Sequence, residues 1–341
     1  MKTLKRILAA TTLLVTLGFA SEANAQVPLE NFFKNPEKAG YQISPDGKYF
    51  SYMAPYENRL NLFVQEVGSD KATRITSETV RDLAGSMWAN GHRILYIKDT
   101  AGDENFQLYG VNVDGTDSKA YTAFPKVRTT IIDPLENIDS LVIIGLNKRN
   151  PQVFDPYRLN LNNGELTQLA ENPGNIQGWM TDHNGKLRVA LAIVDGVNTQ
   201  ILYRETEEQP FRPVLTTNFK ETVSFATFTP DNKMVYALTN IGRDKTALVL
   251  MDPATCEEKE VLYTNDKYDI SGLGYSELKK KLISVSCTGH KGTIRHYFDK
   301  NEEAIRTKLE QKLEGYDIKA KISVLFMLEA TALMELIIPI M

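Results

Sequence analysis

The sequence predicts an all-β chain: a propeller of about six four-stranded blades, incomplete or open as a ring, with one short helix in the last blade. Two observations carry this reading. The first is a polar turn that keeps returning, each time ahead of a short apolar strand. It reads Ser44-Pro45-Asp46-Gly47-Lys48 before the strand at 49–53, Ala89-Asn90-Gly91-His92-Arg93 before 94–97, and Leu135-Glu136-Asn137 before 141–144. It continues as Asp182-His183-Asn184-Gly185-Lys186 before 187–191, Pro230-Asp231-Asn232-Lys233 before 234–238, and Ser276-Glu277-Leu278-Lys279 before 281–285. The steps are 44 residues from Gly47 to Gly91, 46 to Asn137, 48 to Gly185 and 47 to Asn232. A period of that size made of short strands and polar turns marks propeller blades.

The second observation is an independent anchor with the same period. Val67-Gly68-Ser69-Asp70, Val113-Asp114-Gly115-Thr116, Asn162-Asn163-Gly164-Glu165 and Asp252-Pro253-Ala254-Thr255 each precede another short strand. The fourth unit has only the weaker Glu207-Glu208-Gln209-Pro210. Gly and Asn tolerate positive φ and Pro presets φ, so these are turns for a stated reason. A β-sandwich also spaces its strands closely, but it does not make turn types recur in order.

Three segments organise the chain. Residues 1–25 read as a bacterial-type signal peptide: Lys2, Lys5 and Arg6 form a basic start, 7–20 is apolar, and Ala23-Asn24-Ala25 is a cleavage site. The apolar stretch is too short for a membrane anchor. The expectation is therefore an exported protein, periplasmic or secreted, with no membrane span after cleavage. Residues 26–320 form the propeller domain. Residues 321–341 depart from the pattern, because 322–341 (ISVLFMLEATALMELIIPIM) is an apolar run without Gly, Asn or Asp. Glu329, Glu335 and Pro339 interrupt it as a membrane anchor, and a non-native tail is the preferred reading.

Removing the signal segment takes the formal charge from −4 to −6, since three basic residues and Glu22 leave with it. That mild acidity disfavours nucleic acid as a partner. Only Cys256 and Cys287 are present, either paired or as two unrelated thiols.

No recognisable active site is legible. A nucleophile elbow needs glycines on both sides of its serine, and Gly274-Tyr275-Ser276-Glu277-Leu278 lacks the second. His92, His183, His290 and His296 are spread over three repeats, and only His290 and His296 are close enough to suggest zinc. Gly272-Leu273-Gly274 has neither a third glycine nor a following helix, so no nucleotide cofactor is expected. Catalytic, cofactor and metal residues are accordingly assigned to no position. The one substrate-binding candidate is Arg243, in the Gly-centred hairpin 240–245 between the first two strands of repeat five. It either points into a central channel to meet a carboxylate or pairs with an Asp to hold its hairpin. Residues 301–315 (NEEAIRTKLEQKLEG) form the one helical pattern, with Ala304, Ile305, Leu309 and Leu313 on one face.

Residues 43–52 (ISPDGKYFSY) resemble the opening blade of the prolyl oligopeptidase family of serine peptidases, with its dipeptidyl and acylaminoacyl branches. Leu62-Phe63-Val64-Gln65, the hairpin from Thr239 to Lys245, and Phe32-Phe33-Lys34-Asn35-Pro36-Glu37 carry the same resemblance, which covers roughly residues 30–320. It implies an N-terminal propeller that filters peptides toward a Ser-Asp-His triad on an α/β-hydrolase domain. Nothing here matches that hydrolase half, so no triad residue is carried over, and the chain alone is expected to be inactive. The alternative is an autonomous periplasmic propeller that binds or scaffolds, like that of the Tol system. Only about 17 residues separate Gln26 from Ile43, too few for the small α/β domain that precedes a Tol-type propeller.

Overall fold

The structure is a computed structural model and describes residues 28–290 and 292–313. The signal segment and the 321–341 tail lie outside the described residues. The chain divides into two compact units, Met1–Glu37 and Lys38–Met341. The first contributes a 3-10 turn, Leu29–Phe32, on which Leu29, Phe32 and Phe33 are exposed. The second contains every sheet of the described residues.

Six antiparallel meanders make up the second unit, and each of the six recurring turns joins the first two strands of one sheet. Blade 1 is β1 (Ala39–Ile43), β2 (Tyr49–Tyr56), β3 (Arg59–Glu66) and β4 (Ala72–Arg74). Blade 2 is β5 (Gly85–Asn90), β6 (Arg93–Lys98), β7 (Gln107–Asn112) and β8 (Lys119–Ala120). Blade 3 is β9 (Thr129–Asp133), β10 (Leu141–Asn150), β11 (Val153–Asn160) and β12 (Leu166–Gln168). Blade 4 is β13 (Ile176–Thr181), β14 (Leu187–Val194), β15 (Asn198–Tyr203) and β16 (Arg212–Thr217). Blade 5 is β17 (Val223–Phe228), β18 (Val235–Thr239), β19 (Ala247–Met251) and β20 (Glu258–Tyr263). Blade 6 is β21 (Ile270–Ser276), β22 (Lys281–Gly289) and β23 (Gly292–Tyr297), three strands among the described residues rather than four. The second anchors fall between the third and fourth strands of blades 1 to 5. Each sequence repeat therefore begins one strand late, because the inner strand of a blade precedes the turn that announces it. For that reason the 240–245 hairpin joins the second and third strands of blade 5.

The turns form for local reasons. At Asp46 the carboxylate accepts the Ser44 hydroxyl at 2.7 Å and the Lys48 amide at 3.2 Å, while Gly47 takes φ +72°. Thr229 and Asp231 repeat the device in blade 5 at 2.6 Å, with the Lys233 amide at 3.2 Å and Asn232 at φ +58°. Such side-chain bonds stand in for a backbone turn.

Alternation along the strands places the core between blades. Leu62, Val64, Trp88 and Ile94 join blades 1 and 2; Leu95, Leu108, Val142 and Leu159 join blades 2 and 3. Ile201, Phe228, Val235 and Val249 join blades 4 and 5; Leu248, Ile270, Val285 and Cys287 join blades 5 and 6. Each fully buried side chain of this kind contributes roughly 1.5–3 kcal/mol. Among the described residues none of these clusters crosses from blade 3 to blade 4. Polar links cross that junction: Arg158 reaches the Gly185 carbonyl at 2.9 Å and the Glu207 carboxylate at 2.6 Å, and Arg204 donates to the Leu169 carbonyl at 3.3 Å.

The two end sheets finish differently. On blade 1, Tyr41, Phe50, Tyr52 and Phe63 stack along the face opposite Leu62 and Val64, with Lys38 Nζ 4.8 Å above the Tyr52 ring. On blade 6, Tyr297 shares a face with Ser284 and lies beside Arg306, Glu303 and Glu310 of α1 (Lys300–Lys312). The helix thus packs on the face of blade 6 opposite Val285 and Cys287. Asp299 starts it by accepting the Asn301 and Glu302 amides. Its buried contact is Glu302, paired with Lys279, while Ala304 is exposed. The expected apolar stripe is thus narrower than its sequence spacing suggested.

Candidate functional site: the channel end of blades 3 to 6

The first strands of the blades face one another, with β1 against β5 and β9 against β13. Between the first strands of blades 3 to 6 lies a cleft of about 490 Å³. Its walls include Asp133 of β9, Met180 and Thr181 of β13, Thr227 of β17, and Tyr275 and Glu277 of blade 6. Two carboxylates, hydroxyls and a phenol therefore converge beside Leu238 and Leu273, a mixed lining suited to a polar ligand with an apolar part.

A side-chain network orders this end of the channel. Asp133 accepts the Leu135 amide at 2.9 Å and the Thr181 hydroxyl, which ties blade 3 to blade 4. The His183 amide donates to Asn232 Oδ1 at 2.9 Å, and its Nε2–H donates to the Phe228 carbonyl at 2.9 Å, both on blade 5. A carbonyl can only accept, so Nε2 is the donor in this contact. The other ring nitrogen, Nδ1, lies 3.2 Å from Glu277 Oε2. That same oxygen accepts Asn137 Nδ2 at 3.0 Å, 140 residues away in sequence. Tyr275 stacks on the His183 ring at 5.4 Å between centroids. Burial pushes its phenol up to about 12, helped by the Glu277 carboxylate and by Tyr236, so it is a hydroxyl donor at any physiological pH.

Arg243 lies elsewhere. Its guanidinium holds Glu258 of the same blade with contacts of 2.8 and 2.7 Å, and neighbouring Asp244 pairs with Lys245 at 2.9 Å. His296 stacks on Tyr263 at 4.4 Å and His290 meets Tyr268 edge-on. Cys256 and Cys287 are both free thiols. Sequence reasoning saw Asn137, His183 and Glu277 only as turn residues. The signal that could have found them is their phase: all three occupy the recurring first turn, and a ring brings equivalent turns to one end.

The chain is 30% identical over 292 residues to dipeptidyl aminopeptidase BIII of Pseudoxanthomonas mexicana, an alignment covering 83% of this chain and 41% of that protein. That extent is consistent with an N-terminal propeller portion of such a peptidase. Dipeptidyl peptidase family member 6 of Caenorhabditis elegans is 27% identical over 299 residues, covering 82% of this chain and 40% of the relative. The chain thus spans well under half the length of either relative. A structure from work on two prolyl endopeptidases superimposes with a TM-score of 0.56 at 12% identity, over 84% of this chain and 46% of that one. An oligogalacturonate lyase in complex with manganese gives a TM-score of 0.50, also at 12% identity, over 76% and 77%. At such identities these two superpositions speak to the fold alone. No protein-family profile matches the chain.

Proposed function

We propose that this chain is the substrate-gating propeller of an exported serine exopeptidase or oligopeptidase, inactive without a catalytic domain. The observation that supports the reading most is the 30% identity to a dipeptidyl aminopeptidase along nearly the whole propeller. The channel cleft offers carboxylate, hydroxyl and apolar surface of a size that admits a short peptide. In this reading the ring selects narrow, flexible peptides and excludes folded proteins, and the residues of a joined hydrolase perform the chemistry. Export rests on the basic, apolar and Ala-x-Ala pattern of residues 1–25.

The test joins the propeller to the catalytic portion of the dipeptidyl aminopeptidase relative. The fusion should release p-nitroaniline from dipeptidyl substrates and lose that activity to a serine-directed phosphonate, while the propeller alone stays at background. A correctly folded but inactive fusion would favour the autonomous binding propeller instead.

A further inference from the structure

The contact between Asn137 and Glu277 is out of pattern. Several polar links between blades follow the repeat period: Gln42 to Ser86, Asn90 to Asp139, His183 to Asn232 and Arg188 to Asn232 join neighbouring blades 44 to 49 residues apart, and Glu277 also reaches His183 of blade 4. Asn137 and Glu277 belong to blades 3 and 6, with two whole blades between them, and meet at 3.0 Å. Glu277 sits in the β21–β22 turn, whose neighbouring Leu278 is 68% exposed, and Glu277 itself is one-third exposed. Among the described residues no apolar cluster accompanies this meeting of blades 3 and 6. The turn reaches blades 3 and 4 at Asn137 and at the His183 ring, on which Tyr275 also stacks. Each is a polar contact that water can replace without opening a core. Directly behind it lies the channel cleft, and Glu277 and Tyr275 are part of its wall.

We propose that the β21–β22 turn is a latch across this end of the channel, with Glu277 as its bolt and Asn137 and His183 as its keepers. Closed, it narrows the mouth of the cleft; released, it lets blade 6 swing from blade 3 while every sheet stays intact. The latch belongs to the propeller itself and holds whether or not a catalytic domain is joined.

Methionine oxidation reads the mouth directly, because Met180 lines the cleft while Met251 is buried between blades 4 and 5. The full-length protein, its Asn137→Ala and Glu277→Ala variants and the double variant are exposed to dilute hydrogen peroxide. Sulfoxide at each methionine is then followed by peptide mass spectrometry. Each single variant should oxidise Met180 several-fold faster than wild type, the double variant no faster than the singles, and Met251 should be unchanged throughout. Asn137 is exposed, so its variant folds even if Glu277→Ala does not. An unchanged Met180 rate in Asn137→Ala would overturn the latch. So would a parallel rise at Met251, which reports general loosening, or rates that multiply in the double variant, which report two separate effects.

Discussion

Cys256 sits in the β19–β20 turn at φ +57°, and burial, with Asp252 adding to it, raises its thiol to about 11. At pH 8 such a group is about one part in a thousand thiolate, roughly a hundredfold below an ordinary cysteine. Cys287 is buried between blades 5 and 6. Ellman's reagent should therefore titrate neither thiol rapidly in the native protein and both in urea; two equivalents released within seconds without denaturant would contradict the structure. Gly185 carries a different constraint. Its φ is +71°, and a Cβ there would meet the Leu135 and Ile138 side chains at 3.1 and 3.2 Å. The left-handed conformation alone costs a non-glycine residue roughly 1–2 kcal/mol. Gly185→Ala should lower stability by at least that much in urea titration, because Leu135 must also give way.

At the scale of the element, the recurring turn couples folding to carboxylate ionisation. The Thr229 hydroxyl and the Lys233 amide hold the Asp231 carboxyl below its ordinary value of 3.8. At Asp46 burial pushes the other way, but the Ser44 hydroxyl and the Lys48 amide outweigh it. A depressed folded value means the unfolded chain takes up the proton first. The contribution is therefore complete above the ordinary value and is lost as pH falls through the lowered one. Asp231→Asn keeps an acceptor but cannot ionise, so its stability should fall less steeply than wild type between about pH 4 and pH 2. Parallel curves would show that this turn does not titrate with folding. The same local chemistry explains why these turns are readable in sequence: Ser-x-Asp-Gly and Thr-x-Asp-Asn satisfy their own backbone and need no distant partner.

For the propeller unit as a whole, the junction between blades 3 and 4, bridged by Arg158 and Arg204, separates the apolar clusters into two groups. The Glu207 carboxyl at that junction is opposed by burial but held below its ordinary 4.5 by the Leu187 amide and by Arg158. The junction is therefore complete above pH 4.5 and weakens as acid titrates Glu207 through its lowered value. The two tryptophans of the chain report on opposite sides, Trp88 in blade 2 and Trp179 in blade 4. In urea, Trp88→Phe and Trp179→Phe proteins should show different midpoints, further apart once Arg158→Ala is added and further still near pH 4. Coincident transitions in all of these would mean that the six blades unfold as one unit.

What the sequence determined by itself was periodic and local: the six first turns, the second anchors, the apolar alternation between them and the helix after the last strand. Each depends on residues within a few positions of one another, so composition and spacing suffice. The resemblance of residues 43–52 and the 239–245 hairpin to peptidase propellers was legible for the same reason. Only the tertiary structure decided where Arg243 spends its charge, on Glu258 15 residues away, and that α1 packs on the last sheet chiefly through Glu302. Only it brought Asn137, His183 and Glu277 to one end of the channel. Their meeting depends on how far each blade rotates about the ring, an angle accumulated from packing at every intervening interface, and no local stretch of sequence encodes that sum.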